Sequence, residues 1–437
     1  MGNSQANGRR ALDGIRVIDL TWLQVGPQAT RLLATFGAQV IRVEWRERKA
    51  IDFIRYSPPF APDNARSDGG RSQGVTRGHG IAGNVDRGAY FNNTNPGKLG
   101  ITLNLNHPKG RDLLRRLVRD ANVICENFSP RQMEKWNLDY SELRKINPGI
   151  IYIQTTGVGK AGVYQDYVSY GPTAQAFSGL TYLSGLPEPH LPAGWGYSYL
   201  DHSPGYFGAI MLMAAIRRQR AKGIGCYIDM SQSETGLMLS GTSILEHQIT
   251  GKPTQRYGNR MPFLDWAPHG AYRCAGDDNW IAISVQSDEQ WCALVEEMGS
   301  PAWALETHFA TAIGRKQYED ELDEKLTRFT IGCDRYDLME RLQSRGVPAG
   351  VVQKAPDRFD RDPQLKARDY YVDLPSSEIG TWPVEGFPAK LSRSPANVGG
   401  TTGRAAPKLG EDNEFVYRKL LGLGSNEIAA LTEESVI

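Results

Sequence analysis

The chain has 437 residues, and 50 Lys and Arg against 49 Asp and Glu give it a formal net charge of +1. This near-neutral balance offers no electrostatic case for a nucleic acid or an anionic membrane as partner. Five cysteines without CxxC spacing disfavour a disulfide framework or a zinc site, and the polar N-terminus lacks a secretory signal, so a cytoplasmic protein is predicted.

The first half of the chain predicts an α/β fold with a Rossmann-like sheet, because short apolar runs alternate with helical patterns. A strand over 15–20, a helix opening at Gly26-Pro27 and a strand over 39–44 form a βαβ unit. Residues 46–91 are polar and rich in Gly and Arg, which predicts a long loop or lid. Further strands are predicted at 100–105, 122–126, 150–154 and 226–230, and helices after Pro108, Pro130, Leu138 and Ser203.

The longest apolar run, 206–216, is shorter than the ~20 residues that cross a bilayer. Its small residues predict a helix packed on all sides in a core. A long helix is predicted over 232–247.

The pattern changes near Thr250, which predicts a second, smaller α+β domain. A hairpin is expected over 271–285, followed by helices, a strand near 350, a short helix over 363–369, a turn at 382–387 and a final helix. The predicted helices are 289–299, 315–330 and 334–345. The predicted domains are a large one over 1–245, a small one over 260–352 and a return segment over 353–437 that packs on the large domain.

Asp201 lies in an aromatic, glycine-rich segment, 195–208 (WGYSYLDHSPGYFG), just before an apolar helix. Ser203 and Pro204 suit the N-cap and first helical position, so Asp201 is not needed as the cap. A helix N-terminus favours an ionised carboxylate, as a nucleophile requires. A second cap or a buried hydrogen-bonding role is the alternative.

Other residues at strand ends are candidates for binding a ligand. The segment 21–27 follows the first strand, where open α/β sheets bind ligands, but GxGxxG is missing, so Glu44 is weak support for a dinucleotide. Basic and amide groups recur there and are either phosphate contacts or surface groups: Arg42, Arg46, Lys98, Asn127 and Lys135. No histidines show metal-ligand spacing and no GxSxG occurs, so a metalloenzyme or hydrolase is disfavoured. The side chains of Asp201 and His202 are expected to point apart on an extended segment.

With these residues, the chain resembles the class III CoA-transferases of the CaiB/BaiF type, which include formyl-CoA and carnitine CoA-transferases. The resemblance covers almost the whole chain, and its overall pattern is similar to the succinyl-CoA:benzylsuccinate branch. It rests on 12–20 (LDGIRVIDL), 37–44 (GAQVIRVE), 95–105 (NPGKLGITLNL), 126–130 (ENFSP), 175–180 (QAFSGL), Asp201 and 223–231 (GIGCYIDMS).

The resemblance implies a ring-shaped chain that interlocks with a second ring into a dimer, either a homodimer or a heterodimer with a paralogous subunit. It implies an acyl-CoA substrate, with no tightly bound cofactor and no metal. Asp201 becomes the catalytic nucleophile, Gln24 holds the acyl carbonyl, and Tyr170 lies near the acyl group. The implied CoA contacts are Trp22, Leu23, Trp45, Arg46, Leu103, Asn106, Asn127 and Lys135.

The chain departs from the family pattern at several positions. Trp45 replaces an arginine that stacks on adenine, Asn106 a lysine and Lys135 an arginine. A glycine-rich shielding loop is not evident, and 259–269 lies in its place. The 46–91 loop and three aromatic residues, Trp195, Tyr197 and Tyr199, are expected to exclude water instead.

The predicted reaction moves CoA from an acyl-CoA donor such as succinyl-CoA to a carboxylic acid, through an anhydride and a thioester at Asp201. An aromatic or dicarboxylic acid is expected, because Arg55 or Arg71 could face a second carboxylate and aromatic residues would line the pocket: Trp22, Trp45, Phe53, Tyr90 and Tyr170. The alternatives are an acyl-CoA racemase or isomerase, disfavoured because Tyr170 replaces its histidine base, and a non-catalytic subunit of a hetero-oligomer.

Overall fold

The strands alternate with helices through the first half of the chain, as the apolar pattern predicts. The computed structural model describes residues 9–57, 59–61, 85–194 and 198–437. The strands are β1 (Arg16–Asp19), β2 (Gln39–Glu44), β3 (Leu99–Thr102), β4 (Val123–Glu126), β5 (Ile151–Thr156), β6 (Cys226–Ser231), β7 (His269–Arg273), β8 (Trp280–Ser284), β9 (Ala349–Val351), β10 (Tyr371–Ser376) and β11 (Gly380–Glu385).

Most of the predicted helices are present with small differences at their ends, whereas three short helices over 89–94, 171–177 and 180–183 were not predicted. They are α1 (Val25–Thr35), α2 (Ala89–Thr94), α3 (Pro108–Arg119), α4 (Gln132–Lys135), α5 (Tyr140–Ile146), α6 (Gly171–Phe177), α7 (Leu180–Leu183), α8 (Ser203–Lys222), α9 (Gln232–Leu239), α10 (Gly241–Thr250), α11 (Asp288–Glu297), α12 (Ala312–Gln317), α13 (Glu319–Thr330), α14 (Arg335–Ser344), α15 (Pro363–Ala367) and α16 (Ser425–Glu433). Within the described residues, no helix is both long enough and apolar enough to cross a membrane.

The chain divides into two compact units. The first comprises described residues within 1–180, 195–242 and 364–437, and the second comprises 181–194 and 243–363. The second unit contains the antiparallel sheet β7-β8-β9, in which β7 and β8 form the predicted hairpin. Its core side chains come from the sheet and from α11, α13 and α14.

A six-stranded parallel sheet organises the first unit, in the order β3-β2-β1-β4-β5-β6. This is the doubly wound strand order: from β1 the chain adds β2 and β3 on one side of the sheet, and then β4, β5 and β6 on the other. The prediction of a mixed α/β fold with a Rossmann-like sheet is confirmed.

Alternate residues of the central strands bury opposite faces of this sheet. Ile18 and Ile124 pack with Leu114 of α3 on one face. Val17 and Val123 pack with Leu212 of α8 on the other. Because both faces are covered, the central strands are rich in apolar residues, and this pattern makes them recognisable in the sequence.

Three local predictions are wrong. The helix predicted over 232–247 is interrupted at Ser240, whose hydroxyl bonds back to the Gly236 carbonyl one turn earlier. The helix over 315–330 is interrupted at Tyr318, between α12 and α13. The turn predicted at 382–387 is largely strand β11, which pairs with β10 in a two-stranded hairpin that tolerates Pro383.

The apolar run 206–216 is not packed on all sides. It lies in α8, where Leu212 is buried but Ile210 and Met211 are exposed, at 56% and 47%. The prediction failed because apolar composition does not specify how many sides of a helix the rest of the chain covers.

Candidate active site

The site is built where the sheet order reverses, by the loops that follow β1 and β4. The side chain of Asn127, directly after β4, bonds both backbone groups of Trp22. The Asn127 Nδ2 donates to the Trp22 carbonyl at 2.8 Å, and the Trp22 N–H donates to Asn127 Oδ1 at 2.8 Å. The carboxyl ends of the two strands are thereby tied together where such folds bind ligands.

Three pockets open around these loops. The switch-point pocket has a volume of about 290 Å³ and includes Trp22, Asn127, Tyr170 and Asp201 in its wall. The aromatic pocket has a volume of about 460 Å³ and is lined by Leu23, Gln24, Phe53, Ile54, Ser57, Tyr90, Tyr170, Pro172, Ser198, Asp201 and His202. The tryptophan pocket has a volume of about 300 Å³ and contains Trp22, Trp45 and Trp136.

Asp201 lines both the switch-point pocket and the aromatic pocket. It ends a short 3₁₀ turn, Tyr199–Asp201, and is half-buried just before α8. Its carboxyl lies against the first residue of α6, since a Cβ built on Gly171 would be 2.3 Å from Asp201 Oδ1. The carboxyl group therefore faces cavities that a substrate could enter.

Burial is the main influence on the pKa of the Asp201 carboxyl. It raises the pKa of this carboxyl above its ordinary value, against the Ser198 hydroxyl and the Gly171 backbone N–H, which both lower it. A raised pKa makes a carboxylate more basic, and hence a stronger nucleophile once it is ionised.

Two predictions about this segment are corrected. Ser203 is the first residue of α8 and not its N-cap, because its hydroxyl donates to the Tyr199 carbonyl. Asp201 and His202 do not point apart, because the 3₁₀ turn replaces an extended segment and both residues line the aromatic pocket. Burial lowers the pKa of His202, which favours the neutral imidazole.

Gln24 precedes α1 and lines the aromatic pocket together with Tyr170 and Asp201. The Thr94 hydroxyl donates to Gln24 Oε1 at 3.1 Å. This bond uses the acceptor end of the amide and not its NH₂ donors, so Gln24 can still offer an N–H to an oxygen atom in the pocket.

The tryptophan pocket gathers four of the residues predicted to contact CoA: Trp22, Trp45, Leu103 and Asn106. The indole nitrogens of Trp22 and Trp45 are buried without a hydrogen-bond partner in the described part of the chain. Neither nitrogen is exposed to the pocket, so the two rings present their carbon surfaces there and not these donors. Arg46 and Lys135 are exposed and do not belong to the wall of this pocket.

Three basic residues near the strand ends form ion pairs inside the protein instead of facing a phosphate. Arg42, Lys98 and Arg55 are all fully buried. Arg42 pairs with Glu44 at 2.9 Å and Lys98 with Asp19 at 2.9 Å. Arg55 also pairs with Glu44, at 2.6 Å, so the expectation that it faces a substrate carboxylate is wrong.

Several predicted features lie outside the described residues, namely Arg71, Trp195, Tyr197 and much of the 46–91 loop. In the ranges that the structure does describe, no group of three or more His, Cys, Asp or Glu is arranged to hold a metal ion.

No sequence pattern singles out Gly171 or Ser198, although both influence the Asp201 carboxyl in the folded chain. A glycine beside a proline at a helix start is a common pattern, and only the tertiary structure gives it this neighbour.

A parallel sheet of this order, with pockets beyond its strand ends, defines a Rossmann-like ligand-binding protein. Comparison of the sequence with known protein families assigns the chain to one family within this class. The family model for CoA-transferase family III matches residues 12–413, and the chain belongs to this family. Its members are enzymes that use acyl-CoA and carboxylic acids, which confirms the predicted family and enzyme class.

Individual relatives align with this chain over nearly its whole length. The chain is 31% identical over 429 residues to succinyl-CoA–D-citramalate CoA-transferase of Chloroflexus aurantiacus, covering 98% of each chain. It is 29% identical over 428 residues to the beta subunit of succinyl-CoA–L-malate CoA-transferase of the same bacterium, again covering 98% of each. A CAIB/BAIF family protein from Brucella suis superposes with a TM-score of 0.81 at 29% identity, covering 94% of this chain and 100% of that one.

Proposed function

We propose that this protein transfers CoA from succinyl-CoA to a carboxylic acid, with Asp201 as the nucleophile. The observation that carries the proposal is the position of the Asp201 carboxyl in the wall of both the switch-point pocket and the aromatic pocket. A thioester in one pocket and its acyl group in the other would meet at this carboxyl. The names of two relatives support succinyl-CoA as the donor.

The reaction proceeds by acyl exchange without net proton transfer. The Asp201 carboxylate attacks the thioester carbon, the C–S bond breaks, and a mixed anhydride and the CoA thiolate result. The thiolate attacks the Asp201 carbonyl carbon and releases succinate, leaving an aspartyl-CoA thioester. The acceptor carboxylate displaces the thiolate, and the thiolate then attacks the acceptor carbonyl of the second anhydride, which regenerates Asp201.

Neutral groups support these steps. The Gln24 amide supplies an N–H to the oxyanion, for which the loss of one donor typically costs ~10²–10³ in rate. Trp22 and Trp45 offer ring surfaces on which the nucleotide portion of CoA can stack in the tryptophan pocket. Phe53, Tyr90 and Tyr170 give the aromatic pocket an apolar wall that suits an acceptor with an apolar or aromatic body.

The test is to trap the aspartyl-CoA intermediate. After incubation with succinyl-CoA, peptide mass spectrometry should find a CoA adduct on Asp201, and label exchange into added acids should follow. Asp201→Asn should show neither, whereas Asp166→Asn, which changes an exposed carboxylate paired with Arg131, should retain both. Transfer by Asp201→Asn at the normal rate would refute the mechanism.

A second candidate, an acyl-CoA racemase or isomerase, is favoured by one observation, the presence of His202 beside Asp201 in the aromatic pocket. Two bases in one pocket could exchange an α-proton. Deuterium uptake from D₂O at the α-carbon without an acceptor acid, abolished in His202→Gln, would favour this reaction over transfer.

We infer that the chain is ring-shaped and functions in an interlocked dimer, either with a second copy or with a paralogous subunit. The relative named as a beta subunit of succinyl-CoA–L-malate CoA-transferase belongs to an enzyme with more than one kind of subunit. Exposed apolar side chains on α8 and α9 support such a contact, among them Ile210, Met211 and Met238. Light scattering of the purified chain should give twice the chain mass, and a monomer that is inactive until a second polypeptide is added would indicate a heterodimer.

A further inference from the structure

The loop between β1 and α1 contains a residue in an unfavourable backbone conformation. Leu23 has a φ of +64°, in the left-handed region that residues with a Cβ rarely adopt. Such a conformation costs free energy and persists only where surrounding contacts enforce it. Leu23 borders the switch-point pocket and the aromatic pocket and immediately precedes Gln24.

Asp52 enforces this conformation from outside the loop. The Leu23 N–H donates to Asp52 Oδ2 at 2.9 Å, and Arg42 Nη2 donates to the same oxygen at 2.6 Å. The other oxygen, Oδ1, accepts the Ile54 N–H at 3.3 Å. Asp52 is fully buried, so these bonds are shielded from water.

The neighbouring loop residues are held in the same way. Arg42 Nη1 donates to the carbonyl of Thr21 at 2.8 Å, and Thr21 directly precedes Trp22, whose two backbone groups Asn127 binds. Side chains from other parts of the chain therefore hold consecutive backbone groups of this loop. A loop fixed in this manner needs to rearrange little when the transition state forms, so little free energy is lost to reorganisation.

We propose that Asp52 is a positioning residue for CoA transfer: by holding Leu23 in the left-handed conformation, it fixes the Gln24 amide at the pocket that Asp201 lines. The inference rests on the proposed function, in which Gln24 stabilises the oxyanion. Asp52 itself does not touch substrate. Its effect passes through the backbone of one residue to the amide that does.

The experiment is a double-mutant cycle on transfer kinetics with Asp52→Asn and Gln24→Ala. Asparagine keeps only one acceptor oxygen, so its NH₂ group would face either the Ile54 N–H or both the Leu23 N–H and Arg42, and at least one bond that fixes the side chain is lost. Asp52→Asn should lower kcat by about 10-fold or more with little change in KM, because a displaced donor no longer matches the transition state. In the Gln24→Ala background the same change should lower kcat by less than about twofold, since residues that act through one another are not additive.

A rescue variant separates positioning from general damage. Glycine adopts positive φ readily, so Leu23→Gly added to Asp52→Asn should recover much of the lost kcat. The matched control is Asp357→Asn in the second unit, where a buried aspartate accepts two bonds of 2.9 Å from Arg335. It should lower thermal stability and leave kcat unchanged.

Three outcomes would overturn the inference: normal kcat in Asp52→Asn, additive losses in the cycle, or no rescue by Leu23→Gly. If Asp52→Asn does not fold, Leu23→Pro replaces it, because proline fixes φ near −65° and leaves the Asp52–Arg42 pair in place. Normal kcat in Leu23→Pro would overturn the inference equally. Normal kcat in Gln24→Ala alone would instead remove the proposed oxyanion role, on which the inference depends.

Discussion

Replacing Gly171 with alanine tests the placement of the Asp201 carboxyl most directly. A Cβ at this position would lie 2.2 Å from Ser198 Oγ and 2.3 Å from both Cγ and Oδ1 of Asp201. Side-chain carbons essentially never approach other atoms within 3.0 Å, and ordinary contacts begin near 3.4 Å. The carboxylate must therefore retreat by about 1 Å, because the Gly171 backbone is anchored at the start of α6.

A retreat of this size should lower kcat by ~10²-fold, the typical cost of misplacing a reacting group by about 1 Å. KM for acyl-CoA should change less than kcat, since Gly171 borders the switch-point pocket but not the tryptophan pocket. The assay is steady-state transfer from succinyl-CoA, with far-UV circular dichroism and thermal unfolding to confirm that the variant folds.

Gly208→Ala in α8 is the matched control, because its added Cβ would meet Ala29 and Ile153 at an ordinary 3.6 Å. This variant should keep its activity and gain some helix stability. Full activity in a folded Gly171→Ala would refute the reasoning, since the reactive group could not then be the carboxyl where the structure places it.

Further predictions concern the pH dependence of transfer, the bonds between Asn127 and Trp22, and the buried ion pairs. Because the Ser198 hydroxyl lowers the pKa of Asp201, Ser198→Ala should move the acidic limb of the kcat/KM–pH profile to higher pH, and an unmoved limb would contradict this cause. Asn127→Ala removes both bonds to Trp22 and should cost about 2 kcal/mol in urea unfolding and raise KM for acyl-CoA. Arg42→Met leaves buried carboxylates unpaired and should cost about 3–5 kcal/mol, whereas Arg131→Ala, at an exposed pair, should cost at most about 1 kcal/mol in the same measurement.

The sheet could be predicted because its chemistry is local. Strands covered on both faces are rich in apolar residues, and β2, for example, carries Val40, Ile41 and Val43, while its buried Arg42 and Glu44 pair with each other. The β10–β11 hairpin was missed because Trp382-Pro383 and Gly380 are turn signals. Only pairing with β10 shows that Pro383 lies in a two-stranded sheet, where a missing N–H is tolerated.

Charged residues show where sequence reasoning ends. Arg42 and Lys98 follow the spacing expected of ligand contacts at strand ends, yet both bind carboxylates of the protein itself. Nothing local distinguishes these roles, because Lys98 and Asp19 are far apart in sequence and meet only in the folded sheet. The placement of Gln24, Tyr170 and Asp201 around one pocket, in contrast, was implied by the family resemblance and not by the residues alone.

The two aspartates Asp19 and Asp201 show why the second is the better candidate nucleophile. Asp19 is fully buried, but Lys98 and Arg42 outweigh that burial and lower its pKa, so its charge is committed to an ion pair. Asp201 is less buried, yet its pKa is raised, because only a hydroxyl and a backbone N–H oppose desolvation and no described cation contributes. A carboxylate neutralised by a cation gives up much of its basicity, whereas one held by neutral donors keeps it. We therefore expect Asp201, and not Asp19, to have an electron pair available for attack on a thioester.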